Sequence, residues 1–262
     1  MLILPAIDLR DGAVVRLRQG DYGQETVYER DPAAVAATFA AAGFRHLHVV
    51  DLDGARDGVP GNIDVIGRIA AEVGLPIQTG GGIRSLETLA RHRDAGVARM
   101  VLGTKLATDA AFVRSAVAEF GDAIVAGVDA RDGEVQIAGW REGTRRRASE
   151  LVEELRDLGV RHLVYTDITR DGMQTGISTD AYRLVADLAG FPVVASGGVS
   201  TLEDIARLRM LGDCVIEGVI TGKALYENAF TLPEALALAG ADADDRHLRA
   251  LLGGEEVADT CS

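Results

Sequence analysis

The sequence predicts a closed (β/α)₈ barrel, a TIM barrel, assembled from two (βα)₄ halves, and three observations lead to this fold class. Short apolar runs alternate with longer helical patterns along most of the 262 residues. The runs are mostly continuous, which is typical of parallel strands covered on both faces. Motifs of the first half also recur in the second half in the same order. A doubly wound open sheet is the alternative, but it needs edge strands and usually has fewer units.

Eight apolar runs are predicted as the barrel strands. They cover residues 2–7, 47–50, 75–79, 100–102, 123–128, 163–166, 192–195 and 214–220. The helix that follows each run has readable ends, because residues that cap N-termini precede it and a glycine follows it. The predicted starts are Asp31-Pro32, Asn62, Ser85, Thr108-Asp109, Ser149, Ser178-Thr179, Ser200 and Thr231. The predicted stops are Gly43, Gly74, Gly96, Gly121, Gly159, Gly190, Gly212 and Gly240. Ser200 with Glu203 is predicted to form a capping box.

Composition limits the function classes. A net charge of -13 argues against a nucleic-acid partner, because phosphate backbones need a basic face. Apolar residues make up 47% of the chain, yet no apolar run is long enough to span a bilayer, so no membrane association is expected. Cys214 and Cys261 are the two cysteines, and we predict no disulfide, a cytoplasmic location and a monomer.

The internal repeat defines the domain organisation. Asp8 in "AIDLRDGAV" aligns with Asp129 in "GVDARDGEV", and "GGGIRSLE" aligns with "SGGVSTLE". We therefore predict one barrel over residues 1–240, with halves of about 1–121 and 122–240. The charged segment 241–262 is predicted to be a mobile tail, with a helical turn near residues 247–252.

Two aspartates follow equivalent strands. Because the active sites of this fold lie at the carboxyl ends of the strands, Asp8 and Asp129 are predicted to face each other across the barrel mouth. A general acid and a general base need this arrangement, with one group on each side of a substrate. The alternative is that each aspartate only caps its own loop.

Glycine motifs follow the same symmetry and indicate phosphate binding. Glycine lets the backbone approach a ligand closely, and N–H groups at a helix N-terminus favour an anion. Two phosphate sites are predicted on opposite sides of the mouth, unless the glycines only form tight turns. The residues concerned are Gly81, Gly82, Gly103 and Thr104 on one side, and Gly197, Gly198, Gly222 and Lys223 on the other.

Further polar residues follow the strands. Thr166 could bond a substrate hydroxyl or orient Asp129, and Asp171 could be a third carboxylate or a turn former. Arg16 lies near the first loop and is predicted to bind the substrate, and the alternative is a solvated charged surface. Trp140, the only tryptophan, could stack on a heterocycle or simply cover the barrel.

At these motifs the chain resembles the phosphoribosylformimino-aminoimidazole carboxamide ribotide isomerase family of histidine biosynthesis. The resemblance covers residues 1 to about 240 and includes "PAIDLRDGAVVRL", "HVVDLDGARDG", "GGGIRS", "YTDITRDGM", "ASGGVS" and "GVITGKALYE". It implies an Amadori rearrangement of a bisphosphate with no metal or organic cofactor. It places the acid at Asp129, the base at Asp8 and an assisting group at Thr166. Within its motifs, Arg84 is a predicted substrate-binding residue.

Three related functions are weighed against this one. A synthase-cyclase of the same pathway usually has Cys before the first aspartate and a Lys a little later, whereas this chain reads Ala6-Ile7-Asp8 and Arg16 at these places. A bifunctional isomerase that also acts on phosphoribosyl anthranilate carries an Arg before the Trp, whereas this chain has Ala138. We therefore predict the single-substrate isomerase, with dual activity as the alternative. A non-catalytic phosphosugar-binding barrel would have no need of Asp8 and Asp129.

Overall fold

A computed structural model describes residues 1–18, 21–171, 176–227, 229–241 and 246–252. The strands are β1 (Leu2–Arg10), β2 (Ala13–Arg18), β3 (Asp21–Glu29), β4 (Leu47–Asp51), β5 (Ile77–Gly80), β6 (Arg99–Leu102), β7 (Ile124–Arg131), β8 (Glu134–Ile137), β9 (Glu142–Arg147), β10 (His162–Asp167), β11 (Val193–Ser196) and β12 (Ile216–Thr221). The helices are α1 (Pro32–Ala41), α2 (Leu52–Asp57), α3 (Ile63–Val73), α4 (Leu86–Asp94), α5 (Thr104–Thr108), α6 (Ala110–Phe120), α7 (Ala148–Asp157), α8 (Thr179–Ala189), α9 (Leu202–Met210), α10 (Lys223–Tyr226), α11 (Leu232–Gly240) and α12 (Arg246–Leu251).

Eight of these strands form a closed parallel barrel, which confirms the predicted fold class. The order around the ring is β1, β4, β5, β6, β7, β10, β11 and β12. The ring closes because Leu2 of β1 pairs with Gly218 of β12, and this pairing excludes the doubly wound alternative. Strand β7 lies four strands from β1 in either direction, so residues at the ends of these two strands face one another across the mouth.

Two antiparallel extensions on top of the barrel were not predicted. β2 pairs with β1 and continues to β3, and β8 pairs with β7 and continues to β9. Both first turns are Asp-Gly pairs in left-handed backbone, with φ of 48° and 77° at Asp11 and Gly12, and 52° and 77° at Asp132 and Gly133. Left-handed values at both central residues define the type I′ turn that suits a two-residue hairpin. The repeated "RDG" is therefore explained first by hairpin geometry.

Helix starts follow the prediction with two corrections. Helix α7 begins at Ala148, and its N-cap is Arg147 instead of the predicted Ser149. The predicted box of Ser200 with Glu203 is wrong, because Thr201 is the N-cap of α9 and exchanges hydrogen bonds with Asp204. The hydroxyl and the amide of Ser200 also donate to Asp204, at 2.9 Å each. The Asp204 carboxylate thus accepts hydrogen bonds from the amides and hydroxyls of both Ser200 and Thr201, in the turn that leads into α9.

The core has two layers that together position the mouth. Between the strands and the helices lies a large shell of buried aliphatic residues. Inside the barrel is a smaller cluster of Leu4, Ala6, Val125, Val164, Val194 and Ile220. Because both faces of the strands are buried, the backbone at the strand ends is held rigidly, which suits residues that must keep a fixed distance across a cavity.

The segment after α11 is only partly described. The predicted helical turn corresponds to α12, which packs against α9; Leu248 in this helix and Leu252 just after it are buried in the core. The rest of the predicted mobile tail, residues 242–245 and 253–262, lies outside the described residues. Cys214 is disulfide-bonded, so the prediction of no disulfide is wrong; the other cysteine of the sequence, Cys261, lies outside the described residues. None of the described helices is long and apolar enough to cross a bilayer.

The glycine motifs have a steric role that can be tested. A Cβ at Gly81, where φ is 120°, would overlap the carbonyl oxygen of Asp51, and a Cβ at Gly197 would lie 2.6 Å from the carbonyl oxygen of Asp167. We expect Gly81→Ala to lower the free energy of unfolding by about 2–4 kcal/mol, through backbone strain and overlap. Urea denaturation measures this loss. Gly240→Ala is the control, because open space surrounds Gly240 and its φ is not positive; equal stability of both variants would contradict the prediction.

Candidate active site

One cavity at the carboxyl ends of the strands collects every residue predicted for the site. Its volume is about 290 Å³. The predicted residues in its wall are Asp8, Arg16, Gly81, Gly82, Arg84, Gly103, Thr104, Asp129, Trp140, Thr166, Asp171, Gly197, Gly198, Gly222 and Lys223. The barrel closure and the strand registers therefore bring together residues that are far apart in the sequence. Their chemical roles are not tested by this placement and stay predictions.

Asp129 at the end of β7 is a buried carboxyl with a raised pKa. The indole Nε1–H of Trp140 donates to its Oδ2 at 2.9 Å. Burial raises the pKa of Asp129, while hydrogen bonds from Thr166 and Trp140 act in the opposite direction and the negative charge of Asp171 adds to the rise. The net rise means that the protonated form persists to a higher pH than in an exposed aspartate. A proton can therefore be kept here for donation.

Asp8 at the end of β1 has a cationic partner instead. Its Oδ2 accepts a hydrogen bond from the Arg16 guanidinium at 2.7 Å. Burial lowers the pKa of Arg16, but the charges of Asp8 and Asp171 outweigh burial, so the guanidinium stays charged. Asp8 does not cap the loop that follows it. The amides of that turn donate to the side chains of Asp53 and Asn62 instead. The two opposed aspartates thus have different surroundings, as an acid and a base require.

Asp171 lies in a turn after β10, where its amide donates to the carbonyl of Asp167, and its side chain lines the cavity near Arg16. Burial raises its pKa; Arg16 lowers it, Asp8 raises it and Lys223 lowers it. The carboxyl therefore lies among two cations and one anion. Its position puts a third carboxyl in the cavity wall, and its role there stays a prediction.

The two predicted phosphate regions occupy opposite sides of the cavity wall. The helices near these two regions differ in how their N-terminal amides are capped. The side chain of Ser85 caps α4 and that of Thr201 caps α9, so the helices after the glycine motifs carry their own caps. The short helices α5 and α10 have Gly103 and Gly222 as N-caps, with φ, ψ of -118°, -100° and -122°, -92°. The same unusual backbone thus recurs on both sides, next to each glycine motif.

A network that holds the first hairpin was missed. The amide of Asp11 donates to Asp53 at 2.7 Å, and the amide of Gly12 donates to Asn62 at 3.1 Å. The Asn62 side chain also donates to Asp51 and to Asp53, at 2.7 and 2.9 Å. This buried cluster ties the hairpin of β1 and β2, which carries both Asp8 and Arg16, to the loop after β4. The sequence signal for this network is "HVVDLDGA", in which Asp51 and Asp53 lie at the end of β4 and just after it.

His48 and Gln78 are the other site features that the sequence did not indicate. His48 lies in the cavity wall, on β4, and Gln78 lies beside it on β5. A single histidine in an apolar run is usually read as a core residue. His46 and His162 instead line a separate cavity with Arg99, below the inner cluster.

The raised pKa of Asp129 predicts a gain in stability when its charge is removed. The folded-state pKa lies above the unfolded value, so the folded chain binds more protons, and stability falls as pH rises through this window. We expect Asp129→Asn to raise the free energy of unfolding relative to wild type, and the difference to be larger at about pH 8 than at about pH 5. Urea titrations at both values measure it. A wild type that is more stable than the variant at about pH 8 would contradict the sign.

Comparisons with known proteins identify the family. The model of a family described as histidine biosynthesis protein matches residues 2–231. A curated relative from Hahella chejuensis is 47% identical over 236 residues, which cover 90% of this chain and 97% of the relative. Another from Moorella thermoacetica is 48% identical over 244 residues, which cover 93% of this chain and all of the relative. Both relatives are named 1-(5-phosphoribosyl)-5-((5-phosphoribosylamino)methylideneamino) imidazole-4-carboxamide isomerase.

The family match spans most of the barrel, from the start of β1 to the beginning of α11. The resemblance that the strand-end motifs indicated is confirmed, and the chain belongs to the histidine biosynthesis protein family.

Proposed function

We propose that this protein is the isomerase that converts the N-linked 5-phosphoribosyl aminoaldose of the formimino-aminoimidazole carboxamide ribotide to the corresponding aminoketose. The observation that carries the proposal is the pair of carboxyls at the ends of β1 and β7, on opposite sides of one cavity. Curated relatives at 47–48% identity are named for an isomerase of this substrate. The reaction is an internal aldose–ketose isomerisation, so it moves protons and needs no redox cofactor.

Asp129 acts first, as the general acid. In its protonated form it gives a proton to the ribose ring oxygen while the bond from C1 to that oxygen breaks. The lone pair of the attached nitrogen forms the C=N bond of a Schiff base, so charge and atoms balance. Trp140 and Thr166 hold the Asp129 carboxyl in place through its hydrogen bonds. Burial raises the pKa of Asp129, which is the direction that favours a general acid.

Asp8 acts second, as the general base. It removes the proton from C2 of the open-chain Schiff base, and the electron pair moves to form an enolamine. The enolamine becomes the ketose when C1 gains a proton and the C2 hydroxyl loses its proton. Arg16 keeps the Asp8 carboxylate oriented. Asp171 donates a hydrogen bond to a sugar hydroxyl when its carboxyl is neutral.

The two ends of the substrate are phosphates, and we assign them to the two glycine regions. One phosphate binds near Gly81, Gly82 and Arg84 with Gly103 and Thr104, and the other near Gly197 and Gly198 with Gly222 and Lys223. All of these residues line the cavity. Backbone amides and a few cations can hold two dianions although the whole chain is strongly acidic. The half-barrel repeat thus fits a substrate with two similar ends.

A paired activity assay tests the proposal. The purified chain is given the formimino bisphosphate and phosphoribosyl anthranilate in parallel reactions. Turnover of the first alone is the expected result and supports Ala138 as a mark of single function. Turnover of both would show a dual isomerase, and turnover of neither, with binding retained, would leave a phosphosugar-binding barrel. Trp140 gives the binding readout, because its fluorescence comes from the site itself and from no other tryptophan.

The remaining expectations also belong to this proposal. We infer a small bisphosphate as the partner, a monomeric state, and action in the cytoplasm, where amino-acid biosynthesis takes place. Light scattering after size exclusion measures the mass of the particle. Thiol titration of protein from a reducing extract tests whether Cys214 keeps its disulfide there.

A further inference from the structure

Two polar side chains lie side by side within the apolar interior of the barrel. His48 and Gln78 are paired residues of adjacent strands, and Gln78 Nε2 lies 3.0 Å from His48 Nδ1. Gln78 is 2% exposed and His48 is 9% exposed. The inner cluster supplies aliphatic residues to the same interior, and Gln78 also lines the separate cavity that His46, His162 and Arg99 share. His48 belongs to the wall of the active-site cavity, whereas Gln78 lies behind it.

The contact bears on which nitrogen of His48 carries a proton. With the NH₂ group of Gln78 turned toward the ring, as in this structure, Nδ1 of the imidazole accepts and the ring proton is on Nε2. The reverse arrangement would point the amide oxygen at Nδ1–H and would leave the NH₂ group of Gln78 without that acceptor. In the observed arrangement, Oε1 of Gln78 is the one polar side-chain atom of the Gln78–His48 pair that is buried without a partner among the described residues. One unpaired acceptor is less costly than an unpaired amide with two donors.

The surroundings of His48 also fix its charge. Burial lowers its pKa to about 4, and the positive charge of Arg16 on β2 acts in the same direction. Asp8, on the neighbouring strand β1, is engaged by Arg16. Ala6 of β1 and Gln78 of β5 flank His48 in the sheet, and neither carries a charge. At neutral pH the residue is therefore a neutral imidazole with one N–H to offer to the cavity.

An unpaired buried oxygen in a barrel core needs a reason. A methionine or leucine at position 78 would fill the same space and would not bury Oε1 without a partner. A glutamate would pair with a charged His48. Gln supplies the donor that selects the Nε2–H tautomer without adding a negative charge that would favour the imidazolium.

We propose that Gln78 is a specificity-determining residue: by holding His48 as a neutral Nε2–H donor, it adapts the cavity to an aminoaldose whose heterocycle carries a neutral carboxamide instead of a carboxylate. This inference rests on the proposed isomerase function. The carboxamide oxygen can accept the single N–H, whereas a carboxylate gains most from a charged donor. Gln78 acts through His48 and is not itself part of the wall of the active-site cavity.

The first test reads the tautomer directly. Nitrogen-15 NMR of the five histidine side chains, with His48 assigned by its absence in His48→Asn, distinguishes a protonated from an unprotonated ring nitrogen. We expect the wild type to show Nε2–H and no titration of His48 near neutral pH. Gln78→Glu should move a proton to Nδ1 and raise the His48 pKa. Gln78→Met should leave the ring neutral with a mixed tautomer. A wild-type His48 in the Nδ1–H form would overturn the proposal.

The second test reads selectivity. Phosphoribosyl anthranilate is the carboxylate-bearing probe, used as a competitor of the formimino bisphosphate. Relative to wild type, Gln78→Glu should improve the binding of the anthranilate against the carboxamide substrate about tenfold, since a charge-assisted hydrogen bond is roughly twice as strong as a neutral one. Gln78→Met should show no such gain. An unchanged ratio in Gln78→Glu would overturn the specificity role. The NMR result stands even if wild type shows no turnover, so failure of this inference and failure of the proposed function are distinguishable.

Discussion

Asp129→Asn is expected to lower kcat by about 10²–10⁴-fold and to leave substrate binding nearly unchanged. The amide cannot donate a carboxyl proton to the ring oxygen, so ring opening loses its acid. Asn can still accept from Trp140 and bond to Thr166, because its shape matches that of the carboxyl. The loss should therefore fall on kcat, with a small change in KM.

Asp132→Asn is the matched control for this variant. Asp132 lies in the turn that follows the same strand, and its hairpin needs φ of 52°, which Asn adopts as readily as Asp. The same chemical change is thus made three residues away, outside the cavity wall. Steady-state kinetics and Trp140 fluorescence titrations compare the two. If Asp129→Asn kept more than about a tenth of wild-type kcat, Asp129 would not be the acid.

The barrel itself was predictable because each central strand is covered on both faces. Such strands are continuous apolar runs in the sequence. Their alternation with helices predicts the order of the strands in the barrel, and the strand register is not needed for this prediction. The extra strands were missed for the opposite reason. β9, for example, is exposed at most of its positions, and only its pairing with β8 makes it a strand. The Asp-Gly pairs are the local sequence signals of these hairpins.

Helix ends show how small differences in spacing decide a cap. Ser200 and Thr201 are both good N-cap residues, and each is followed three residues later by an acid. Thr201 becomes the N-cap because Asp204 is buried at the start of α9. There its carboxylate accepts hydrogen bonds from the amides of Ser200 and Thr201 and from the Thr201 hydroxyl. No local rule ranks Glu203 below Asp204. The packing of α9 on the barrel made that selection.

The candidate site was predictable where chemistry and repeat coincide, as at Asp8 and Asp129. His48 and Gln78 have no such support, because they lie 30 positions apart and meet only through the register of β4 and β5. Asn62 looked like a helix cap, yet its side chain holds the first hairpin turn and makes no capping bond. In each case the functional relation is a tertiary contact between different loops or strands. A single sequence carries no direct signal of such a contact.

Asp8→Asn should also lower kcat by about 10²–10⁴-fold, but at the later step. The variant cannot remove the C2 proton, while Asp129 can still open the ring. The amide oxygen of the substituted side chain still accepts from Arg16, so the change should leave the fold intact. Asp11→Asn is the control, in the turn after β1, where its exposed side chain lies outside the cavity wall. Kinetics of both variants measure the loss.

A kinetic isotope effect separates the two aspartates, since both variants lose turnover. With substrate deuterated at C2, Asp8→Asn should show a larger isotope effect than wild type, because proton removal becomes the slowest step. Asp129→Asn should show an effect close to one, because ring opening precedes removal of the C2 proton and becomes limiting. The reverse pattern would exchange the assigned roles of Asp8 and Asp129. A full isotope effect in both variants would mean that removal of the C2 proton limits turnover in both, and the two aspartates could then not be assigned to separate steps.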